Sequence, residues 1–371
     1  MSTAPEEDLL SPRRNPDLVG HEAAERLFLE SWNSGRLHHA WLIGGPPGIG
    51  KATLAYRIAR FVLANGGEAQ DAGLFGAPPP PASLHVGPDH PVARRISASG
   101  HGDLLTIQRT WDEKRKRFKR DLPVEEVRRI APFLRLTSAE GGWRVVVVDG
   151  IDQMNASGQN AILKILEEPP PRALLLLVAD NVGALLPTIR SRTRRLMLEP
   201  LPERTVVALL GLHAPDLSET DKLALARLSE GSIGRALALS ASGGIGLFRE
   251  MLGLLEALPR LEVQACHAFA DKLARSGADE AWEAGTELLL WWLARLNRTL
   301  ARGQAAPEVV AGEGALTARL ASQARGGEGG LDRWVEVWDN VARLFARAEG
   351  ANLDRKQTLL SALLAIEAAA A

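Results

Sequence analysis

Apolar runs alternate with amphipathic stretches through the first half of the chain. Residues 41–43, 104–107, 145–148 and 174–178 carry no charged side chain, and the third of these runs is four consecutive valines. Short uncharged runs of this kind are typical of strands that are buried on both faces of a sheet. We therefore expect a parallel sheet at the centre of this half of the chain.

Helical periodicity fills the intervals between these runs. Apolar side chains recur at helical spacing over residues 54–62, 124–134 and 162–166, and three prolines that begin at Pro169 stop the last segment. Glycines and prolines interrupt residues 65–100, which predicts an irregular excursion. The alternation predicts an α/β fold, in which helices cover both faces of a parallel sheet.

Strand signals fade after Pro200, and long helical periods rich in Ala, Leu, Arg and Glu follow. The pattern predicts an α/β domain over residues 15–200, a small helical domain over 201–243, called the lid below, and an all-α C-terminal domain over 246–371, called the collar below. We expect residues 1–16 to be a flexible lead-in. Tryptophans at helical spacing favour core positions in the collar; they are Trp282, Trp291, Trp292, Trp334 and Trp338.

Composition favours a soluble protein. The 371 residues have a formal net charge of −1 and include one cysteine, Cys266, which excludes an internal disulfide and a four-cysteine zinc site. No apolar run is long enough to span a bilayer, and no signal peptide is evident, so we expect a cytoplasmic protein. A dense basic run fits either a solvated loop or a DNA contact; it comprises Lys114, Arg115, Lys116, Arg117, Lys119 and Arg120.

A glycine-rich turn separates the first apolar run from the first helical segment. Gly45 to Lys51 match the first seven positions of the eight-residue P-loop pattern. Such a loop turns backbone N–H groups toward phosphate oxygens, the following helix adds its positive N-terminal end, and Lys51 can reach the β- and γ-phosphates. ATP or ADP is the expected ligand, and the predicted contacts are Gly45, Pro46, Gly48, Ile49, Gly50, Lys51, Ala52 and Thr53.

The metal side of this site is less complete. The eighth P-loop position normally supplies a hydroxyl to Mg²⁺, but here it is Ala52. A shift by one residue, to Thr53, turns a helical side chain by about 100°. Asp149 follows the valine run and is the predicted Walker B aspartate, which holds the Mg²⁺ shell. The sequence is thus compatible with bound nucleotide and leaves Mg²⁺ binding open.

Five further segments fit one family together. They are Val19-Gly20-His21, Gly35-Arg36-Leu37-His38-His39-Ala40, Asn160-Ala161-Ile162-Leu163-Lys164-Ile165-Leu166-Glu167-Glu168-Pro169-Pro170, Ile189-Arg190-Ser191-Arg192-Thr193 and Asn352-Leu353-Asp354-Arg355-Lys356-Gln357. They resemble the AAA+ clamp-loader subunits of bacterial DNA polymerase III, the gamma/tau and delta-prime group. The third segment is the most specific, and the resemblance covers nearly the whole chain.

The resemblance implies a pentameric loader that opens a sliding clamp and places it on primed DNA, with gamma/tau and delta subunits as partners. In that scheme Arg192, which follows Ser191, is an arginine finger that reaches the ATP site of a neighbouring subunit. A planar, always charged guanidinium suits this role. The plainer alternative is a surface arginine in a basic stretch. Val19, in the entry segment, is a further predicted nucleotide contact.

Four departures from the motor chains of this family weaken hydrolysis. Ala52 lacks the Mg²⁺ hydroxyl, and Gly150 stands where the family carries a glutamate base. Gly234 takes the place of the sensor-2 arginine, and Arg235 comes one residue late. The sensor-1 region, residues 179–181, lacks the usual threonine. We therefore expect a delta-prime type of subunit, which completes the ATP site of a neighbouring subunit and does not hydrolyse ATP at its own site.

Two alternatives stay open. One is an ATP-hydrolysing motor of the gamma/tau type, whose turnover would require Lys51. The other is a purely architectural subunit that binds no nucleotide. Whether the chain is an enzyme in its own right is also open. Relatives of this family commonly carry a zinc module, but residues 65–100 contain no cysteine, so we expect no zinc.

Overall fold

The computed structural model describes residues 11–67, 79–109, 111–112, 117–118, 122–326, 330–351 and 353–371. It divides into two compact units, Met1–Thr205 and Val206–Ala371. This division does not test the predicted limits of the lid and the collar, which stay predictions.

Parallel strands form the centre of the first unit. Within the described residues the strands are β1 (Ala40–Gly44), β2 (Leu104–Ile107), β3 (Trp111–Asp112), β4 (Arg117–Phe118), β5 (Arg144–Asp149), β6 (Ala173–Ala179) and β7 (Arg194–Met197). Five of them make one parallel sheet in the order β2-β5-β6-β1-β7, while β3 and β4 pair antiparallel. The carboxyl end of β6 therefore lies between those of β1 and β5.

Helices surround this sheet and make up the second unit. In the first unit they are α1 (Glu22–Asn33), α2 (Lys51–Asn65), α3 (Pro91–Ser97), α4 (Val124–Arg128), α5 (Ile130–Arg135), α6 (Ala156–Glu167) and α7 (Pro187–Ser191), with 3₁₀ turns at Ile151–Gln153 and Val182–Ala184. Helix α8 (Glu203–His213) begins at the unit boundary. The others are α9 (Glu219–Leu228), α10 (Ile233–Ala241), α11 (Gly244–Leu255), α12 (Val263–Ala274), α13 (Asp279–Arg302), α14 (Glu313–Gly326), α15 (Gly330–Ala351) and α16 (Arg355–Ala370).

The sheet is buried on both faces because side chains alternate along each strand. Trp41 and Val147 point into a core shared with α1, α2 and α3. Leu42, Val146 and Leu177 point into a second core shared with α4, α5 and α6. Successive strand residues face opposite sides, so an uninterrupted apolar run supplies both cores. The predicted α/β fold is confirmed.

Several local expectations need correction. The single helix expected over residues 124–134 is two short helices, α4 and α5, and the region expected to be irregular contains α3. Strand β7 was not predicted, because only one of its four side chains is buried and it begins with two arginines. The basic run at 114–120 falls largely outside the described residues. Only Arg117–Phe118, which form β4, are described.

The expectation of a flexible lead-in is wrong for residues 11–16. Two arginines of α2 hold this segment through its backbone carbonyl groups, and the Arg13 side chain adds hydrogen bonds to Ser99 and Tyr56. The hydrogen bonds run from Arg60 to the carbonyls of Arg13 (3.0 Å) and Asn15 (2.7 Å), and from Arg57 to the carbonyl of Pro16 (2.7 Å). Residues 1–10 lie outside the described part of the chain.

The second unit buries most of its tryptophans, as the helical spacing predicts. The buried ones are Trp282, Trp291, Trp292 and Trp334. Trp338 is the exception, with 38% of its surface exposed, so the core prediction is wrong there. Among the described residues, no helix combines the length and apolar composition that crossing a membrane requires.

Truncating Leu176, which is fully buried in β6, is expected to lower the free energy of unfolding by about 3 kcal/mol through lost burial and the cavity left behind. Leu136→Ala is the matched control, since that leucine is 63% exposed and should cost less than about 0.5 kcal/mol. Urea unfolding followed by circular dichroism measures both. Equal losses would contradict the assignment of this strand to the core.

Candidate functional site

The predicted P-loop joins the end of β1 to the start of α2 at Lys51. Gly48 and Gly50 have positive φ angles of 74° and 107°, a backbone region that favours glycine. A side chain at Gly45 would place its Cβ 2.6 Å from the carbonyl oxygen of Leu198. The glycines are therefore required by the local backbone, and the loop has the strand–turn–helix setting of a phosphate-binding loop.

The entry segment before α1 packs against this loop. The buried His21 ring nitrogen Nε2 lies 2.7 Å from the carbonyl oxygen of Ile49. Leu18 approaches the backbone of Gly50 closely enough that a Cβ there would lie 3.2 Å from its Cδ1. Val19 lies between these two contacts and is 42% exposed. The segment and the loop are thus one local structure, and the role of Val19 in nucleotide binding stays a prediction.

Lys51 is engaged within the chain. Its side chain is only 4% exposed, and its ammonium nitrogen Nζ lies 2.7 Å from Oδ1 of Asp180. The same nitrogen donates to the carbonyl oxygen of Pro46. The sheet order explains the ion pair, because Asp180 follows β6, and β6 lies beside β1, which carries the P-loop. Carboxyl ends of adjacent parallel strands meet at one edge of a sheet.

Two more carboxylates share this edge. Oδ2 of Asp152 accepts hydrogen bonds from the backbone N–H groups of Asp180 (3.1 Å) and Asn181 (2.7 Å). Burial raises the pKa of the Asp149 carboxyl above its ordinary value, and the nearby Asp180 raises it further, while Lys51 lowers it. Arg109 also lowers this pKa, so the edge brings three carboxylates, Asp149, Asp152 and Asp180, near two cations, Lys51 and Arg109.

These residues fit a phosphate group only in part. The loop backbone is shaped for one, but Lys51 already has Asp180 as its counter-ion. Ala52 offers no hydroxyl and Thr53 is buried, so neither of the two positions supplies an exposed oxygen ligand for Mg²⁺. No cluster of His, Cys, Asp and Glu suited to a metal occurs among the described residues. The arrangement does not fit a Mg²⁺–nucleoside triphosphate.

Gly150 is fixed by its backbone as well as by its sequence position. It has a φ of 87°, and its N–H donates to the carbonyl oxygen of Val178. A Cβ at this position would lie 2.7 Å from the side-chain oxygen Oε1 of Gln153. The position that follows Asp149 therefore disfavours a glutamate side chain for conformational reasons.

Arg192 lies just beyond α7, apart from the Lys51 cluster. Its guanidinium is 37% exposed, pairs with Glu167 at 3.0 Å and donates to the carbonyl oxygen of Thr188 at 3.2 Å. Gln159 accepts a hydrogen bond from the N–H of Leu186 at 2.9 Å, which fixes the start of α7 against α6. Helix α6 thus positions the start of α7, and Arg192 directly follows the end of α7.

Ser191, the other predicted catalytic residue, has a local structural contact. Its hydroxyl donates to the carbonyl oxygen of Thr188 at 3.1 Å, near the end of α7. In the second unit, Ser232 caps α10 and the displaced sensor-2 residue Arg235 pairs with Glu287 of α13 at 2.6 Å. The chemical roles of Ser191 and Arg192 stay predictions.

Comparison with known proteins points to one group of relatives. The family model described as "DNA polymerase III, delta subunit" matches residues 20–202. Over this part of its length the chain is similar to subunits of DNA polymerase III. The delta' subunit of Escherichia coli DNA polymerase III is 33% identical over 57% of this chain and 57% of its own length. The gamma/tau subunit of Mycobacterium bovis is 29% identical over 54% of this chain and 31% of its own length.

A solved structure completes the comparison. A DNA polymerase III gamma subunit-related protein from Thermotoga maritima covers 92% of this chain and 98% of its own, with 19% identity and a TM-score of 0.37. The alignment with the E. coli relative covers little more than half of that relative's length.

Sequence reasoning missed the contacts that decide the state of this P-loop. Asp180 drew attention only because its segment, residues 179–181, lacks the usual threonine, and Asp152 was not among the predicted site residues. Their juxtaposition with Lys51 follows from the strand order, which no local pattern specifies. The pairing of Arg192 with Glu167 was likewise not predicted, although both residues lie in recognised segments.

Asp149→Asn is expected to stabilise the fold at neutral pH. The folded pKa of this carboxyl is raised, so its ionised form costs stability that the protonated form does not. The cost develops as pH rises above the ordinary pKa of 3.8 and is complete above the folded pKa. The Tm advantage of the variant should therefore shrink as the buffer is taken from about pH 8 to about pH 4. Asp216→Asn, at an exposed carboxyl, serves as control, and a pH-independent difference would contradict the prediction.

Gly150→Glu is expected to destabilise the chain by about 1–2 kcal/mol, because a non-glycine residue is strained at this φ. It should not create ATPase activity. Gly67→Glu adds the same side chain at an exposed glycine with open space around it. Thermal unfolding compares the two variants, and the prediction fails if both are equally stable or if the Gly150 variant hydrolyses ATP.

Proposed function

We propose that this chain acts as a delta-prime type of subunit in a DNA polymerase III clamp loader. It supplies Arg192 to the ATP site of a neighbouring subunit and does not hydrolyse ATP at its own loop. The observation that carries the proposal is the contrast in exposure between two ion-paired cations. Arg192, paired with Glu167 beyond α7, is 37% exposed, whereas Lys51, paired with Asp180, is only 4% exposed.

Chemical requirements support each half of this proposal. A finger must be a permanent cation that a partner's phosphate can reach, and Arg192 meets both conditions. Hydrolysis needs a metal-binding hydroxyl and a base that activates water, and Ala52 and Gly150 supply neither. A chain of this kind contributes a residue to the ATP site of a neighbouring subunit and does not hydrolyse ATP at its own loop.

The relatives' names support the proposed partners. The chain is similar both to subunits named delta' and to subunits named gamma/tau, which favours a hetero-oligomer built from gamma/tau and delta chains. Within that assembly we propose that the chain helps to open the sliding clamp and to place it on primer–template DNA. The helical collar is the proposed oligomerisation domain.

ATP turnover by the reconstituted loader tests the proposal. The assay contains gamma/tau, delta, this chain, the clamp and primed DNA. Arg192→Ala should lower turnover by roughly tenfold or more, since a finger stabilises transition-state charge on the transferred phosphate. Arg195→Ala is the matched control, because it removes an exposed arginine three residues away. Lys51→Ala should leave turnover nearly unchanged.

Other outcomes separate the alternatives. Loss of this chain's own turnover in Lys51→Ala would show a gamma/tau type of motor and overturn the proposal. A complex that assembles and is indifferent to both Arg192→Ala and Lys51→Ala would assign the chain an architectural role. Equal losses for Arg192→Ala and Arg195→Ala would point to general basic charge and not to a finger.

A further inference from the structure

A carboxylate of the chain occupies one side of the P-loop lysine. Lys51 is buried, and Oδ1 of Asp180 lies 2.7 Å from its ammonium nitrogen while the carbonyl of Pro46 accepts a second hydrogen bond. In P-loops this ammonium group contacts the β- and γ-phosphates. The chain's own acid therefore engages the donor group on which a bound nucleotide would depend.

The carboxylate of Asp152 holds the backbone of Asp180 in this position. Its N–H and that of Asn181 both donate to Oδ2 of Asp152, at 3.1 and 2.7 Å. Asn181 in turn accepts a hydrogen bond from the N–H of Gly183 at 3.0 Å, which starts the turn after β6. The carboxylate is thus directed at Lys51 by a structured turn, although 43% of its side chain is exposed.

The charge balance then differs between nucleotides. The β-phosphate of a nucleoside diphosphate contacts Lys51 but is also held by the loop N–H groups and the N-terminal end of α2, which are backbone features that Asp180 does not occupy. A terminal third phosphate lies beyond these N–H groups, so it depends mainly on Lys51 and brings further negative charge toward Asp180 and Asp149. Like charges at close range disfavour binding, most strongly where a site is partly desolvated.

We propose that Asp180 is the specificity-determining residue of this loop. It acts as a resident counter-ion of Lys51 that excludes the terminal phosphate of a nucleoside triphosphate and leaves the loop selective for a nucleoside diphosphate. The inference rests on the proposed function for the nature of the ligand. It gives a physical reason why the loop can retain its lysine and still not hydrolyse ATP.

Equilibrium binding to the isolated full-length chain tests this inference. The probes are fluorescently labelled ADP and ATP, each with Mg²⁺, and the quantity measured is the Kd. The unmodified chain should bind ADP roughly tenfold more tightly than ATP, and Asp180→Asn should tighten ATP binding by roughly tenfold while changing ADP binding by less than about threefold. Asp180→Ser provides a second variant if the asparagine form folds poorly by circular dichroism.

Two controls identify the cause of any gain. Asp216→Asn removes the same charge from an exposed turn and should change neither Kd. Adding Lys51→Ala to Asp180→Asn should abolish the gain, because the freed ammonium group is its source. The inference is overturned if the ATP-to-ADP ratio is the same with and without the Asp180 carboxylate, if Asp216→Asn gives the same gain, or if no variant binds either nucleotide.

This binding experiment is independent of the assembled loader. Failure of the proposed function would appear as a complex whose turnover ignores Arg192→Ala, whatever the isolated chain binds. Failure of the inference would appear in the Kd values alone. The two results can therefore be told apart.

Discussion

The position of β6 between β1 and β5 is the constraint on which the rest of the site depends. It brings three strand ends to one edge of the sheet, so that the P-loop, Asp149 and Asp180 meet although they are far apart in the chain. Buried apolar runs hold that order, because each strand contributes alternate side chains to both cores. The contacts at this edge therefore depend on the order of the strands in the sheet, and the sequence motifs alone do not determine them.

The same edge combines the backbone of a phosphate-binding loop with an internal counter-ion for its lysine. The loop backbone, the following helix and the lysine are all present, whereas the cation is balanced internally and the conformation at Gly150 disfavours a catalytic side chain. At the end of α6, Glu167 pairs with the partly exposed guanidinium of Arg192, which also donates to the carbonyl oxygen of Thr188. The loop thus keeps the backbone shape that binds phosphate without the side chains that hydrolysis requires, and only a few residues make this difference.

Local pattern was sufficient for much of this architecture. Four valines before Asp149 and the prolines after α6 predicted elements that the structure confirms, because burial and proline geometry act over a few residues. Strand β7 escaped notice because Leu196 is its only buried side chain. Trp338 was misjudged because it lies at the edge of the buried stripe of α15, next to Trp334, Val337 and Val341, and helical spacing does not give the width of that stripe. The partners of Lys51 and Arg192 could not be foreseen, since they depend on which strands and helices become neighbours.

The lead-in segment has a consequence for how such chains diverge. Arg57 and Arg60 grip it by main-chain oxygens, which every amino acid possesses. Substitution of Asn15 or Pro16 by another residue therefore keeps the carbonyl oxygens that these bonds use, whereas substitution of Arg13 also removes its own hydrogen bonds to Ser99 and Tyr56. Substitution of Arg60 removes two of the three main-chain bonds, and substitution of Arg57 removes the third. Sequence similarity within residues 11–16 is thus a poor guide to whether a related chain keeps this attachment, and the two arginines of α2 are a better one.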